Sequence, residues 1–374
     1  MGGGLEGPQK SNGKGRELLL CVLPWPKNAG DKILKEIERE YPNLDVHYFE
    51  DSPNKDKSKN TTVPEDLQQR AKVMATLSWL PPNVQAAPNL ELIQFFSAGT
   101  NHIAQHPIYT DSEIPLTTAS GVHGPQIAEW VIMMNLIHSH HYPRYYELQK
   151  DRKWENYGAE GRDVRDMVGQ RVGVLGYGSI GRQVARVAQA MGMDVIAFTA
   201  SPRESPESKK DNGFIVPGTG DPEGSIPSAW YSGLDKDNLH KFLSQNIDLL
   251  AICVPLTEDT KHLLSTPEFE LLSKSNPHKT YIANISRGAI IDQSALITAL
   301  EKEQISGAAL DVTDPEPLPK DNPLWTAPNV LITPHISGGT TRYAERAFQV
   351  LKENLGRRKR GEKFVNLVDR KRGY

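Results

Sequence analysis

The sequence predicts an α/β protein built on parallel sheets. Two observations carry this. Short apolar, strand-like runs alternate with stretches of helical periodicity, and the alternation restarts after a long central helical stretch, so the second series is complete enough to form its own domain. The length of 374 residues fits two or three domains at roughly 150 residues each.

The elements follow in chain order. Residues 17–23 are an apolar run closed by Pro24-Trp25-Pro26. Residues 31–40 have helical periodicity, with Ile33, Leu34 and Ile37 on one face. Strands are predicted at 46–49, 72–77 and 90–96, with a charged loop at 51–60. A helical stretch covers 125–150, and Pro143 is expected to end or kink it. The second series has strands at 170–175, 195–198, 249–254, 280–284, 308–312 and 330–333, with a helix at 180–191. Residues 341–355 are helical again. Residues 201–233 hold six Ser, five Pro and five Gly, which reads as a surface excursion rather than a core element.

Composition excludes several classes. With 43 Lys+Arg against 46 Asp+Glu the net charge is −3, so nothing draws the whole chain to nucleic acid or an acidic membrane. No apolar run approaches the roughly 18 residues of a membrane span. The two cysteines, Cys21 and Cys253, lie in separate strand-like runs, which argues against a disulfide scaffold and for a reducing, cytoplasmic setting. The Gly- and Lys-rich start reads as a loose tail without a secretory signal. Arg357-Arg358-Lys359-Arg360 reads as cations ending a helix, with a nuclear address as the alternative. His138, His140 and His141 are weighed as a metal site and read instead as helix packing or a dimer contact, so no metal is expected.

The most informative turn is Gly176-Tyr177-Gly178-Ser179-Ile180-Gly181, a GxGxxG placed between a strand and a helix. Gly176 permits the tight turn, Gly178 admits a pyrophosphate to the backbone, and Gly181 lets helix and strand pack closely. Backbone N–H groups near Ser179 and Ile180 would face the anion. Dinucleotide enzymes that select NAD carry an acid at the end of the next strand. Here the residues are Thr199-Ala200-Ser201-Pro202-Arg203. Thr199 and Ser201 can donate to a 2′-phosphate and Arg203 can pair with it, so NADP is expected over NAD. The alternative is that Arg203 is a solvated loop charge.

Three more segments follow predicted strands: Asn284-Ile285-Ser286-Arg287-Gly288, Asp311-Val312-Thr313-Asp314-Pro315-Glu316-Pro317, and Thr333-Pro334-His335-Ile336-Ser337. Ligands of open parallel sheets bind beyond such strand ends. With the glycine turn they occur in the order and spacing of the D-2-hydroxyacid dehydrogenase family, which the chain resembles from about residue 18 to its end. The resemblance implies two Rossmann-like domains. One is a discontinuous, flavodoxin-like substrate domain made of 1–121 and 341–374. The other is a central dinucleotide-binding domain, 122–340.

The resemblance also implies a catalytic triad of Arg287, Glu316 and His335. Arg287 would clamp the carboxylate of a 2-oxoacid and polarise its ketone. His335 would protonate the developing alkoxide as hydride arrives from the nicotinamide, with Glu316 orienting the ring. Asp311 matches the position that holds the nicotinamide carboxamide, and Val254, Pro255 and Ile285 match cofactor contacts. Backbone N–H groups of Ala98 and Gly99 match the substrate-carboxylate turn, and Leu77 and Trp79 would shape the pocket. The implied substrates are small 2-oxoacids such as glyoxylate or hydroxypyruvate. The implied assembly is a homodimer, with the apolar helix at 127–137 as a contact surface. Two departures stand out. The sequence has Ala128-Glu129-Trp130 where the family usually has Ala-Glu-His, and the 201–233 segment is longer than usual. A reading from another class remains beside this one: a dinucleotide-sensing corepressor that acts by binding partner proteins.

Overall fold

The computed structural model describes residues 16–51, 62–155 and 164–370. The predicted tail and most of the charged loop at 51–60 lie outside them. The first lobe runs β1 (Glu17–Leu23), α1 (Asp31–Glu40), β2 (Leu44–Glu50), α2 (Glu65–Arg70), β3 (Ala71–Thr76), β4 (Leu92–Phe95), α3 (Pro107–Thr110) and β5 (Leu116–Thr117). Its five strands lie in the order β2-β1-β3-β4-β5, and every pair is parallel. Six of the seven residues of β1 are buried, as expected of a strand covered on both faces.

The second lobe begins with α4 (Gly124–Ser139) and α5 (Tyr142–Lys150). It continues through β6 (Arg171–Leu175), α6 (Ser179–Ala190), β7 (Asp194–Thr199), α7 (Pro206–Lys209), β8 (Ala229–Ser232), α8 (Lys236–Leu243), β9 (Leu249–Ile252), α9 (Thr266–Ser275), β10 (Tyr281–Asn284), α10 (Gln293–Glu301), β11 (Gly307–Leu310) and β12 (Val330–Ile332). The strand order is β12-β11-β10-β9-β6-β7-β8, parallel throughout. The order reverses between β6 and β9, which opens a crevice at their carboxyl ends.

The last helix, α11 (Tyr343–Arg360), returns to the first lobe. Its Ala347, Phe348 and Leu351 share a core with Ile33, Leu34 and Ile37 of α1. Gly30 makes room for this: a Cβ there would fall 2.2 Å from the Phe348 ring. Buried Asn354 fixes the register, donating to Gln94 Oε1 at 2.9 Å and accepting from the Val365 N–H at 2.8 Å. The basic run at its end is held in ion pairs, Arg357 with Glu353, Arg358 with Glu17 and Glu91, and Arg360 with Glu362.

Three expectations change. The 125–150 stretch breaks at His141, which takes a left-handed φ of 53°, and Pro143 lies in the first turn of α5, where its missing N–H costs no hydrogen bond. The 201–233 segment is not wholly an excursion, because its end supplies the edge strand β8. The apolar face of α4 is not a free contact surface. Ile127, Trp130, Val131 and Met134 are buried in the second-lobe core, where α4 packs on α6, β10 and β11, and Met133 is the exposed apolar residue of that stretch. The exposed aromatics lie just beyond, at Tyr142, Tyr145, Tyr146 and Trp154. Among the described residues no helix is long and apolar enough to cross a membrane. Cys21 and Cys253 are both free thiols, pushed up to about 12 by burial.

Two buried imidazoles tie stability to pH. Burial and the nearby Arg346 push His123 down to about 4. Burial and His141 do the same to His138, which stacks on Tyr281 at 4.3 Å. Both rings are neutral in the fold and regain a value near 6.5 on unfolding. The unfolded chain therefore binds more protons between pH 6.5 and 4, and stability falls as the pH drops through that window, by up to about 1.4 kcal/mol per pH unit for each ring. The melting temperature should drop from pH 7 to pH 5, and His123→Phe with His138→Phe should flatten the slope; a parent profile already flat over that range would contradict this account.

Candidate active site

The glycine turn sits at the crevice between β6 and β9. Gly176, at φ 102°, donates its N–H to the Phe198 carbonyl at 3.0 Å. A Cβ there would lie 2.7 Å from the backbone of Cys253 and Val254, so only glycine lets the turn lie flat across the strand end. A Cβ on Gly181 would lie 2.3 Å from the Gly176 carbonyl oxygen, which sets how closely α6 approaches β6. A Cβ on Gly178, by contrast, meets nothing within 4 Å. Beside that open space α6 starts without a side-chain cap and without an acid in its first turn. Ser179 lies at the rim, and Ile180 turns its side chain to the α4 core. A glycine approach to open space, under uncapped helix N–H groups, fits a dinucleotide pyrophosphate.

The end of β7 carries the residues expected at the ribose. Thr199 is buried, and its hydroxyl donates to the Ser201 carbonyl at 2.8 Å. Its proton is engaged inside the turn. Ser201 is exposed. Arg203 donates from Nη1 to the Ser208 carbonyl at 2.5 Å, so it is folded onto its own segment rather than freely solvated, with further N–H donors remaining on its guanidinium.

The loops after β10, β11 and β12 form one continuous cluster. Arg287 is half-buried and donates from Nη1 to the Ser286 carbonyl at 2.7 Å. The next residue, Gly288, is flush with the β11 loop, since a Cβ there would be 2.0 Å from the Thr313 carbonyl carbon. Thr313 donates its N–H to Glu316 Oε1 at 3.1 Å. Glu316 Oε2 lies 3.0 Å from His335 Nδ1. The ring nitrogen Nδ1 therefore faces the carboxylate and leaves Nε2 for other chemistry. The His335 side chain is 51 % exposed, which makes it accessible to a small molecule. An apolar cavity of about 590 Å³ adjoins the pair, lined by Leu318, Trp325, Ile332 and Pro334.

Asp311 holds this arrangement together. It is 1 % exposed. Oδ1 accepts from the Thr333 hydroxyl at 2.6 Å and the Ile336 N–H at 2.9 Å. Oδ2 accepts from the N–H of Ser337 at 2.9 Å and from its hydroxyl at 2.5 Å. The Asp311 carbonyl also accepts the His335 N–H at 2.8 Å. With four donors on two oxygens, the carboxylate is filled by its own protein. Through these bonds Asp311 positions the His335 loop.

The first lobe meets this cluster at Gly99. A Cβ on Gly99 would be 3.1 Å from Arg287 Nη2, so the turn after β4 and the guanidinium are neighbours across the cleft. Ala98 is exposed beside it, and the Ser97 hydroxyl closes the turn on the Gly99 carbonyl at 2.8 Å. The Leu77 carbonyl lies 3.1 Å from His102 Nε2. Trp79 packs on the first-lobe core, its carbonyl accepting from the Thr76 hydroxyl at 2.7 Å. Val254 and Pro255 offer carbonyls already bonded to the hydroxyls of Ser286 and Thr260. Ile285 is buried in the second-lobe core.

Sequence reasoning missed His102, which the cleft brings near Arg287. Burial, and then that cation, hold its imidazole below the usual value against the opposing Leu77 carbonyl. Its place three residues beyond Gly99 was the available signal. Missed too were Tyr177 and Arg182, which bind the 201–233 segment to the glycine turn through Asp221.

Comparison with known proteins agrees with this geometry. Residues 132–216 and 221–337, more than half of the chain, match the model of the D-isomer specific 2-hydroxyacid dehydrogenase, NAD binding domain. A glyoxylate reductase of Aeropyrum pernix is 30 % identical over 291 residues, covering 76 % of this chain and 78 % of that one. A glyoxylate/hydroxypyruvate reductase A of Salmonella paratyphi B is 29 % identical over 304 residues, covering 80 % and 86 %. Among solved structures, a D-isomer specific 2-hydroxyacid dehydrogenase from Xanthobacter autotrophicus, in complex with NADPH and MES, superposes with a TM-score of 0.70 at 25 % identity. It covers 95 % of this chain and 99 % of its own. A family protein from Aeromonas salmonicida shares the fold with a TM-score of 0.72 at 24 % identity, covering 95 % and 99 %. With the dinucleotide turn, the histidine–carboxylate pair and the facing guanidinium in one cleft, the chain belongs to the D-isomer specific 2-hydroxyacid dehydrogenase family.

Proposed function

We propose that this protein is an NADPH-dependent reductase of small 2-oxoacids, of the glyoxylate and hydroxypyruvate class, yielding D-2-hydroxyacids. The observation that carries the reading is the His335–Glu316 pair at 3.0 Å, set one loop away from Arg287, which itself faces Gly99. The oxidoreductase reading has the support of the family match and of the named reductases among the relatives, which favour it over a corepressor.

The nicotinamide cofactor, when bound, supplies the hydride that reaches the carbonyl carbon. The residues of this chain do the rest. Gly176, Gly178, Ser179 and Gly181 receive the pyrophosphate at the start of α6. Arg287 pairs with the substrate carboxylate and polarises the neighbouring ketone, and N–H groups of Ala98 and Gly99 close on the same carboxylate. His335, with Nδ1–H held by Glu316, gives the proton on Nε2 to the alkoxide oxygen and recovers it in the reverse direction. Glu316 fixes the orientation of the ring. The apolar cavity beside the pair suits an aliphatic group better than a second charge, which extends the class towards longer 2-oxoacids.

NADPH is preferred because the end of β7 carries no acid to repel a 2′-phosphate, while Ser201 and Arg203 stand there as donors. The NADPH complex of the Xanthobacter relative supports this choice. A homodimer belongs to the same reading, with the exposed aromatics of α5 and Trp154 as its contact face.

The kinetics test each part. His335→Ala and Arg287→Ala should each lower turnover of glyoxylate or hydroxypyruvate at least about a hundredfold, equivalent to about 2.7 kcal/mol of barrier. Near-normal rates in a steady-state assay would remove the roles. The kcat/KM with NADPH should exceed that with NADH by at least about tenfold, and Arg203→Ala should narrow the ratio; a strong NADH preference would reverse the cofactor assignment. Asp311→Ala strands donors from Thr333, Ile336 and Ser337, so it should destabilise the fold by at least about 3 kcal/mol and lower kcat. Unchanged melting and turnover would deny its positioning role.

A further inference from the structure

The 201–233 segment touches both lobes, at different points of its path. Its root is fastened to the glycine turn. The Tyr177 hydroxyl, from the middle of that turn, donates to Asp221 Oδ2 at 2.8 Å. Arg182, 3 % exposed, donates to the Asp221 carbonyl at 2.5 Å and to the Lys209 carbonyl at 2.6 Å. The Gly220 N–H donates to Gln183 Oε1 at 2.6 Å. A buried guanidinium must find acceptors, and here the segment's own backbone supplies them.

The tip of the segment lies on the other lobe. The Phe214 side chain packs against the first-lobe core, and its N–H donates to Asn366 Oδ1 at 3.3 Å. Its carbonyl oxygen presses on Gly121, where a Cβ would be only 1.9 Å away. Asn366 also donates to the carbonyls of Thr118 and Ser120, at 3.0 and 2.8 Å. The chain crossing between β5 and α4 is therefore gripped from two sides, by Asn366 and by Phe214. Rotation of the first lobe against the second moves Asn366 and the core under Phe214 relative to the glycine turn, and the segment joins those two places by a route separate from the crossing itself. That route begins at Ser201 and Arg203, beside the ribose end of the cleft.

We propose that residues 201–233 form an interlobe strap and that Phe214 is a positioning residue for the reaction. Through the strap, a dinucleotide at the glycine turn sets the crossing at 118–123, and with it the approach of Gly99 to Arg287. A surface decoration would leave the crossing indifferent to the cofactor.

This rests on the dinucleotide reading, and the experiment separates the two. Amide hydrogen exchange is measured on the full chain with and without saturating NADP⁺, in the parent and in Phe214→Ala. In the parent, exchange should slow at least about threefold both at 176–182 and at 118–123. In Phe214→Ala the protection at 176–182 should persist while that at 118–123 is lost. The KM for glyoxylate should rise about tenfold with kcat changed less than threefold, and Phe214→Leu, which keeps an apolar anchor, should restore it. A merely structural role would lower the active fraction and kcat and leave KM alone, and that result overturns the proposal. So does protection of the turn without the crossing in the parent, a measurement independent of whether Phe214→Ala folds. Absence of protection at the turn itself would overturn the dinucleotide reading and the strap with it.

Discussion

A carboxylate with almost no solvent contact cannot stay in a protein unless its oxygens are matched by donors, and Asp311 meets that demand from one short stretch. Four donors from Thr333, Ile336 and Ser337 converge on its two oxygens. The stretch must curl around the carboxylate to deliver them. His335, in the middle of the curl, is left with a positive φ of 54°, a conformation a non-glycine residue adopts only when its surroundings impose it. Its side chain is then the one that cannot turn inward, and it projects to Glu316. The placement of the His335 imidazole is thus a consequence of satisfying a buried carboxylate on the far side of β12 in the chain.

Close backbone approaches extend this order across the cleft. Gly288 against Thr313 brings the Arg287 loop and the Glu316 loop into van der Waals contact, and Gly99 leaves room for the guanidinium from the other lobe. Neither contact is a strong interaction. Each works by subtraction: a methyl group at 288 would drive the two loops apart, and one at 99 would crowd the guanidinium. The two parallel sheets supply the frame, since each ends its strands toward the same cleft and each has a reversal of strand order there. Arg287, Glu316 and His335 come from loops, and the precision of their placement comes from the strands just behind them.

Much of this was legible in the sequence, for physical reasons that differ by element. Buried parallel strands need unbroken apolar runs, so 17–23 and 249–252 declared themselves. The glycine turn was legible because two steric demands, at Gly176 and Gly181, and one open approach, at Gly178, fall on fixed positions. Short β5 and β8 were not, since two or four residues in an otherwise polar context gain their pairing from strands far along the chain. Asp311 was legible as an acid after a strand, but its four bonds to its own loop were not, since they depend on how residues 333–337 curl. The Thr199 bond was hidden in the same way, because a hydroxyl's choice between a ligand and a carbonyl two residues on is decided by backbone geometry.

The Ser-, Pro- and Gly-rich stretch is the most instructive case, because its composition usually signals a lack of structure. Its order does not come from an apolar core of its own. It comes from two polar groups of the glycine turn, the Arg182 guanidinium and the Tyr177 hydroxyl, which are buried and require acceptors. The stretch wraps them with carbonyls and with Asp221. Wrapping so small a target takes tight turns, and glycines at 218, 220 and 224 adopt positive φ to make them. A Cβ on Gly224 would strike the Lys209 carbonyl at 2.5 Å, the same carbonyl that Arg182 uses. Prolines limit the freedom of the unfolded stretch and so reduce the entropy lost on ordering it. What reads in one dimension as low complexity is, in three, a shell of turns built around a buried cation, and it places Phe214 where the lobes join.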